Sequence, residues 1–178
     1  TRLLEQGALR LDWACYELVR QRVVVTAIGA YQLEEVLKAS ARLKERQVPH
    51  SVVYMLEPGR FRTPRSEHEK ACLVPTQLQA ELYPNSVPAR VFVTHTRPEP
   101  LLGTLQPLNT GSDLTAALGF INQGGTLNVP GMLFVNRCTW AHILLEVGRV
   151  LGTLQEELLT SEEFAALSRK VSPEGILF

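Results

Sequence analysis

The chain has 178 residues, of which 45% are hydrophobic and 20% are charged, a composition typical of one globular domain with a hydrophobic core. Lysine plus arginine and aspartate plus glutamate number 18 each, so the formal net charge is zero and the basic excess that nucleic-acid binding normally requires is missing. Cys15, Cys72 and Cys138 are widely spaced without a CxxC pair, which argues against a disulfide framework and favours the reducing cytoplasm, and no apolar run approaches the length of a membrane-spanning helix.

Residues 1–21 form a lead-in segment whose apolar residues partly fit a helix, although Gly7 weakens that pattern. Trp13 is expected to anchor this segment by packing against the first strand. The chain begins at Thr1 rather than at a methionine and carries no signal-peptide pattern, so we expect it to be a fragment of a longer protein.

The segment that follows the lead-in carries the clearest strand and helix patterns. A β-branched run at 23–28 predicts a strand, which Gly29 ends. From 31 to 46 the apolar residues recur with helical spacing, and a second apolar run at 51–56 predicts another strand. A strand, a helix and a strand in this order form a βαβ unit, which predicts parallel strands and an α/β fold.

Basic residues follow two of the predicted strands. The loop at 57–69 comes after the second strand, and a third β-branched run at 89–94 is followed directly by a histidine. Ligands of open α/β sheets bind at the carboxyl ends of the strands. The residues predicted to form an anion site at this edge are Arg60, Arg62, His95 and Arg97. The alternative is a solvated loop whose charges are balanced by neighbouring glutamates.

The middle of the chain predicts only short elements. Ser112 or Asp113 can begin a short helix that ends at Gly119, and a Gly-Gly pair at 124–125 predicts a turn. The apolar run at 132–135 is expected to form an edge strand. None of the glycines has the spacing of a phosphate-binding loop.

Two further helices are predicted near the end of the chain. Thr139 can cap the first, whose apolar stripe runs from Trp140 to Leu154 and should pack on the sheet. His142 lies off that stripe, where contact with solvent or a partner competes with a catalytic role. A capping box at 160–163 begins the last helix, within a helical tail at 156–178.

The sequence contains no recognisable catalytic motif. HExxH and GxSxG are missing, and the four histidines are scattered without the spacing of metal ligands. We therefore predict no catalytic, cofactor-binding or metal-binding residue in this chain.

The segments at 13–14, 23–45 and 48–61 resemble the carboxyl-terminal domain of thiamine-diphosphate enzymes of the transketolase superfamily. Within that superfamily the sequence is most similar to phosphoketolases. The features that it shares with them are a strand ending in His95, a Gly-aromatic-x-x-x-Gly segment at 119–124 followed by Pro130 and Met132, and the pair Trp140 and His142.

The resemblance implies a single domain over residues 1–178, built as a three-layer α/β sandwich around a mostly parallel sheet. It implies a parent enzyme that acts on ketose phosphates such as xylulose 5-phosphate. In that family thiamine diphosphate and magnesium bind between the two preceding domains, so the expected partners are upstream domains and a second subunit in a homodimer. The carboxyl-terminal domain supports assembly rather than chemistry, so the isolated domain should be inactive.

Two alternatives stay open, and the first of them belongs to a different functional class. The same fold can serve as a free-standing, non-catalytic binding or assembly module, because a fold alone does not determine function. The chain can also be the equivalent domain of a pyruvate-dehydrogenase-type enzyme, which shares the βαβ core. The upstream reading frame distinguishes a free-standing module from a domain of a larger enzyme.

Overall fold

The computed structural model describes residues 2–121 and 127–169, and in that part of the chain strands and helices alternate. The strands are β1 (Ala8–Arg10), β2 (Val23–Ile28), β3 (His50–Met55), β4 (Ala89–Thr94) and β5 (Thr115–Leu118). The helices are α1 (Arg2–Gln6), α2 (Ala30–Glu45), α3 (Glu67–Lys70), α4 (Thr76–Leu82), α5 (Pro98–Thr104), α6 (Val129–Val135), α7 (Trp140–Leu151), α8 (Gln155–Leu158) and α9 (Ser161–Ser168). Short 3-10 turns lie at Asp12–Ala14, Leu18–Arg20, Pro58–Phe61 and Gln106–Leu108.

The strands form one sheet in the order β1-β3-β2-β4-β5. β3, β2, β4 and β5 run parallel, and β1 pairs with β3 in the antiparallel direction. In the centre of the sheet Val25 lies opposite Val52 on one side and Val91 on the other, as expected for β-branched residues on a pleated surface. The predicted α/β fold with a mostly parallel sheet is confirmed.

Helices cover both faces of the sheet. Val23, Val25 and Ala27 of β2 belong to a hydrophobic cluster with α2 and α7, whereas Val24 and Ile28 belong to a second cluster with Phe61, α4 and α5. All six residues of β2 are buried, which is the pattern of a strand covered on both faces. These three layers confirm the predicted sandwich.

The middle of the chain differs from two predictions. Residues 115–118 form strand β5 beside β4 rather than the end of a helix. Residues 132–135 belong to helix α6 rather than to an edge strand. That helix begins earlier because the Asn128 side chain accepts a hydrogen bond from the Gly131 N–H at 2.9 Å, and Pro130 occupies the first turn, where its missing N–H costs nothing.

The lead-in segment also differs from its prediction. It contains the edge strand β1 besides the short helix α1. Trp13 is 70% exposed and does not anchor the segment, because the neighbouring Ala14, 3% exposed, is the residue of this turn that packs in the core. The Ser40 hydroxyl donates to the Ala14 carbonyl at 2.6 Å and holds the turn against α2.

The last helices agree with the sequence pattern except at their ends. Helix α7 ends at Leu151 because Gly152 adopts a left-handed conformation with φ of 63°, and Leu154 beyond it is 68% exposed. The capping box of Thr160 and Glu163 at the start of α9 is confirmed. The predicted turn at 124–125 and the end of the tail at 170–178 lie outside the described residues. No helix in the described ranges has both the length and the apolar character needed to cross a membrane.

Candidate functional site

The best candidate for a binding site lies where the sheet topology reverses. β2 and β4 are neighbours, but the chain leaves β2 through α2 towards β3 and leaves β4 through α5 towards β5 on the opposite side. Crevices that bind ligands form outside the carboxyl ends of two such strands. Here the two strand ends are joined through His95, whose backbone N–H and ring Nδ1 both lie within hydrogen-bonding distance of the Ile28 carbonyl, at 3.3 and 3.0 Å.

A cavity of about 220 Å³ occupies this position, and we call it the switch-point cavity. Its polar side chains are Gln32, Thr94, His95 and Asn136. Its walls are completed by Cys138 and by the apolar residues Tyr31, Phe120, Leu127, Val129, Met132 and Leu133. The cavity is therefore lined mainly by apolar side chains together with a few polar groups, the usual character of a small-molecule pocket.

The amino terminus of α2 opens onto the switch-point cavity. Gly29 occupies the capping position with φ of 117° and provides no side-chain cap. The first helical hydrogen bond runs from the Leu33 N–H to the Gly29 carbonyl at 3.0 Å, and no described residue bonds the N–H groups of Ala30, Tyr31 and Gln32. Such free N–H groups carry the positive end of the helix dipole.

Glycine at position 29 is favoured by the backbone conformation. Its positive φ is disfavoured for residues with a side chain. A Cβ there would collide with the Gln32 amide oxygen, the end of a flexible side chain, and lie 3.0 Å from His95 Nδ1. The backbone of the helix terminus therefore lies directly next to these two polar side chains.

Gln32 is the most unusual group of the cavity. It is 7% exposed, and among the residues that the structure describes no donor or acceptor bonds its side-chain amide. Its amide atoms are accessible from the cavity, unlike the fully buried side-chain oxygens of Gln6 and Gln21. The amide borders the cavity, so a bound group can supply the missing hydrogen bond.

His95 contributes a second polar atom. Because the Ile28 carbonyl can only accept, Nδ1 carries the proton of that hydrogen bond, and Nε2 is the acceptor of the neutral ring. The sequence analysis placed His95 at the strand end, and the structure brings it to the cavity.

Cys138 lies in the cavity wall but is not suited to nucleophilic chemistry. Burial raises the pKa of its thiol to about 12, with a smaller contribution from Glu35. The thiol donates to the Asn136 carbonyl at 3.3 Å. It is therefore protonated and unreactive at neutral pH.

Glu35 and His142 serve the packing of α7. The Glu35 carboxylate accepts hydrogen bonds from Lys38 Nζ and from the Trp140 N–H, both at 2.7 Å, so it caps α7 from a neighbouring helix. Thr139 occupies the predicted capping position, but its hydroxyl pairs with His142 Nδ1 at 2.7 Å. Burial, and secondarily Arg137, lowers the pKa of His142 to about 4, so this ring is neutral at pH 7.

The four residues of the predicted anion site lie in different places. Arg60 and Arg62 line a second cavity of about 530 Å³, whereas His95 lines the switch-point cavity and Arg97 lines neither. Arg60 donates to the Glu5 carbonyl at 2.7 Å, and Arg62 donates to the Gly59 carbonyl at 2.6 Å. The two arginines are thus brought together, but they are separated from His95. Anion binding at these residues stays a prediction.

The structure adds residues that the sequence analysis did not identify. Lys70 lines the cavity of the two arginines, and Tyr31 and Gln32 line the switch-point cavity. No local pattern marks Gln32, because a glutamine in an amphipathic helix is ordinarily a solvated residue. Within residues 2–121 and 127–169, no three His, Cys, Asp or Glu side chains are grouped to hold a metal ion.

No protein-family model matches this sequence, and no curated protein matches it. The fold is similar to that of two solved transketolases. Transketolase from Campylobacter jejuni matches with a TM-score of 0.55 and 14% identity over 84% of this chain and 19% of its own length. Transketolase from Leishmania mexicana matches with a TM-score of 0.54 and 17% identity over 99% of this chain and 20% of its own length.

Both matched proteins are much longer than this one. The chain spans about a fifth of the length of these solved transketolases. Identities of 14% and 17% establish the fold alone. The chain therefore has a transketolase-like α/β fold, with a five-stranded and mostly parallel sheet between two helical layers.

Proposed function

We propose that this chain is the carboxyl-terminal domain of a thiamine-diphosphate enzyme of the transketolase superfamily that acts on ketose phosphates such as xylulose 5-phosphate. The observation that carries the proposal is that 99% of the chain matches a fifth of Leishmania mexicana transketolase. Such a match is expected for one domain of a larger enzyme. The strand that ends in His95 and the pair Trp140 and His142 favour phosphoketolase within the superfamily.

In this proposal the chain contributes assembly rather than chemistry. Thiamine diphosphate and magnesium would be held by upstream domains, and the cofactor would supply the electron sink for cleavage of the ketose. Residues of this chain would pack against those domains and against a second subunit.

Exposed apolar side chains in the lead-in segment support an assembly role. Leu4 is 67% exposed, Trp13 is 70% exposed and Val19 is fully exposed. We propose that these side chains are covered in the assembled enzyme, since an exposed apolar patch is typical of a contact surface. In the proposed enzyme this segment would follow the upstream domains directly, so it is the natural place for contact with them.

The experiment is to express the complete reading frame that contains this chain and to assay xylulose 5-phosphate with thiamine diphosphate and magnesium. Formation of an acyl phosphate from inorganic phosphate would support phosphoketolase, and transfer to an aldose would support transketolase. Turnover of a 2-oxo acid instead would favour the pyruvate-dehydrogenase-type alternative. A reading frame that starts beside Thr1 would contradict the proposal and favour a free-standing module.

A pair of variants tests the assembly role in the complete protein. Trp13→Ala should increase subunit or domain dissociation, as measured by sedimentation and by limited proteolysis. Leu154→Ala is the matched control, because Leu154 is 68% exposed but lies at the other end of the chain. Equal effects of the two variants would remove the support that the lead-in segment gives to this role.

A further inference from the structure

We propose that the switch-point cavity binds a small organic carboxylate with a short apolar body. This inference concerns residues of this chain alone and does not depend on the proposed enzyme reaction. Two independent observations support it, the free N–H groups at the start of α2 and the buried amide of Gln32 that no described residue bonds.

The start of α2 provides the attraction for an anion. The helix has 16 residues, and its N–H groups at Ala30, Tyr31 and Gln32 have no partner among the described residues. A carboxylate oxygen placed there accepts from backbone N–H groups and lies at the positive end of the helix dipole. Because Gly29 has no side chain, the Gln32 amide oxygen lies where its Cβ would be, which shows that an oxygen atom fits next to this backbone.

The Gln32 amide indicates that the cavity is built for a polar ligand. A side-chain amide that faces a cavity and that no described residue bonds is available to a bound group. Gln32 is 93% buried, and its amide borders the same cavity as the helix terminus. The atom of this side chain that lies beside Gly29 is the amide oxygen, so rotation of the amide would present its Nε2 donor to a bound carboxylate.

The charges around the cavity favour a carboxylate over a phosphate. None of the described lining residues is a lysine or an arginine, the side chains that usually neutralise a phosphate dianion. The positive end of a helix is equivalent to about half an elementary charge, which suits a single negative charge better than two. The buried acid of the same helix, Glu35, is already paired with Lys38 at 2.7 Å and does not repel the ligand as an unpaired charge would.

The apolar walls determine the rest of the ligand. Leu127, Val129, Met132 and Leu133 line the same cavity. A cavity of about 220 Å³ lies below the roughly 300–1,000 Å³ of pockets for drug-sized molecules. The ligand class that fits is therefore a short, branched or ring-bearing carboxylate.

The test is a titration of the isotope-labelled 178-residue chain with isovalerate, followed by amide NMR. We expect saturable shifts of the N–H signals of Ala30, Tyr31 and Gln32. The neutral analogue isovaleramide should bind about tenfold more weakly, because it lacks the charge that the helix terminus attracts. Equal binding of the amide, or the same shifts with inorganic phosphate alone, would overturn the assignment of a carboxylate.

Variants at two glutamines connect the binding to the cavity. Gln32→Leu should weaken isovalerate binding at least fivefold. Gln21→Leu is the matched control, because Gln21 also carries a buried side-chain oxygen without a partner but does not line this cavity. Gln32→Glu places a negative charge next to the ligand and should abolish the shifts, with circular dichroism confirming that the fold is retained. Unchanged affinity in both Gln32 variants, or no shifts with isovalerate in the original chain, would refute the proposal.

Discussion

The ion pair between Arg42 and Glu163 connects the last described helix to the rest of the domain, and its removal gives a quantitative prediction. Two nitrogens of the Arg42 guanidinium donate to the two carboxylate oxygens of Glu163 at 2.8 and 2.9 Å. The guanidinium also lies 5.2 Å from the ring centroid of Trp140. Glu163 completes the capping box of α9 by accepting from the Thr160 N–H at 2.9 Å. Glu163→Gln keeps the shape of the side chain and removes its charge.

The expected cost lies between the values for exposed and buried ion pairs. The Arg42 and Glu163 side chains are 21% and 19% exposed. Exposed pairs contribute up to about 1 kcal/mol, and breaking a buried pair costs about 3–5 kcal/mol. From the bidentate geometry and the partial exposure we expect Glu163→Gln to lower the free energy of unfolding by about 1–2 kcal/mol at pH 7. For a domain of this size this corresponds to a fall in Tm of about 2–8 °C.

The pH dependence identifies the ion pair as the cause. The hydrogen bond from Arg42 lowers the pKa of Glu163 in the folded protein. A carboxyl group with a lowered pKa stabilises the fold fully above its unfolded pKa of about 4.3, and this contribution is lost as the pH falls through the folded pKa. The difference in the free energy of unfolding between the original chain and Glu163→Gln should therefore be constant near pH 7 and shrink below about pH 4.

The assay is urea unfolding followed by circular dichroism at several pH values. Glu162→Gln is the control, because it removes the same charge from the same first turn of the helix. Glu162 is exposed and forms no ion pair with a described residue. If Glu162→Gln lowered the free energy of unfolding as much as Glu163→Gln, a general effect of charge at the helix terminus would explain the result. A loss of unfolding free energy in Glu163→Gln that stayed constant down to pH 3 would equally refute the role of the ion pair.

Four further predictions follow from other parts of the structure. Tyr83→Phe and Thr26→Val each break the buried contact of 3.0 Å between the two hydroxyl groups, and each should lower the free energy of unfolding by about 1–3 kcal/mol. In a double-mutant cycle the double variant should lose less than the sum of the two single variants. His142 should titrate near pH 4 by NMR, because its pKa is lowered in the folded protein. The stability that its neutral ring contributes should therefore fall as the pH is lowered from about 6.5 to 4. A titration midpoint at about 6.5 would contradict this. The isolated chain should neither bind thiamine diphosphate in calorimetry nor turn over a ketose phosphate; micromolar binding of the cofactor would contradict this. A crystal grown in sulfate should hold the anion beside Arg60 and Arg62, and if that cavity held none the predicted anion site would be withdrawn.

The parts of the fold with the strongest local patterns were predictable from the sequence. The strand at Val23–Ile28 was predicted with the bounds that the structure shows, because its residues are β-branched and Gly29 ends the run. The helix that follows was predicted within one residue at each end, because its apolar residues recur with helical spacing. In both elements local preference and tertiary packing favour the same structure.

The elements that were predicted wrongly are those in which tertiary pairing overrides local preference. Residues 115–118 consist of threonine, two alanines and leucine, and alanine and leucine favour a helix, but this segment pairs with β4 as an edge strand. Residues 132–135 are apolar and short enough to suggest a strand, but they belong to helix α6, which follows an asparagine cap and carries Pro130 in its first turn. The signal for this helix was present in the sequence as Asn128 followed by Pro130.

The candidate site was only half predictable. His95 was identified because it follows a strand at the edge where ligands bind. Gln32 was not identified, because the cavity that it lines is completed by Phe120 and by residues between 127 and 133, which come far later in the chain. A sequence pattern can locate the edge of a sheet, but it cannot show which polar side chain on that edge is left without a partner.

The strand order alone accounts for a crevice at the ends of β2 and β4, so the presence of the switch-point cavity is not evidence of binding. Every sheet whose connections diverge between two neighbouring parallel strands leaves space there. The nature of the lining is the informative feature. Gln32 presents its amide to the cavity without a partner among the described residues, and the first N–H groups of α2 have none either. The proposed carboxylate site therefore depends on this pair of features and not on the presence of the crevice.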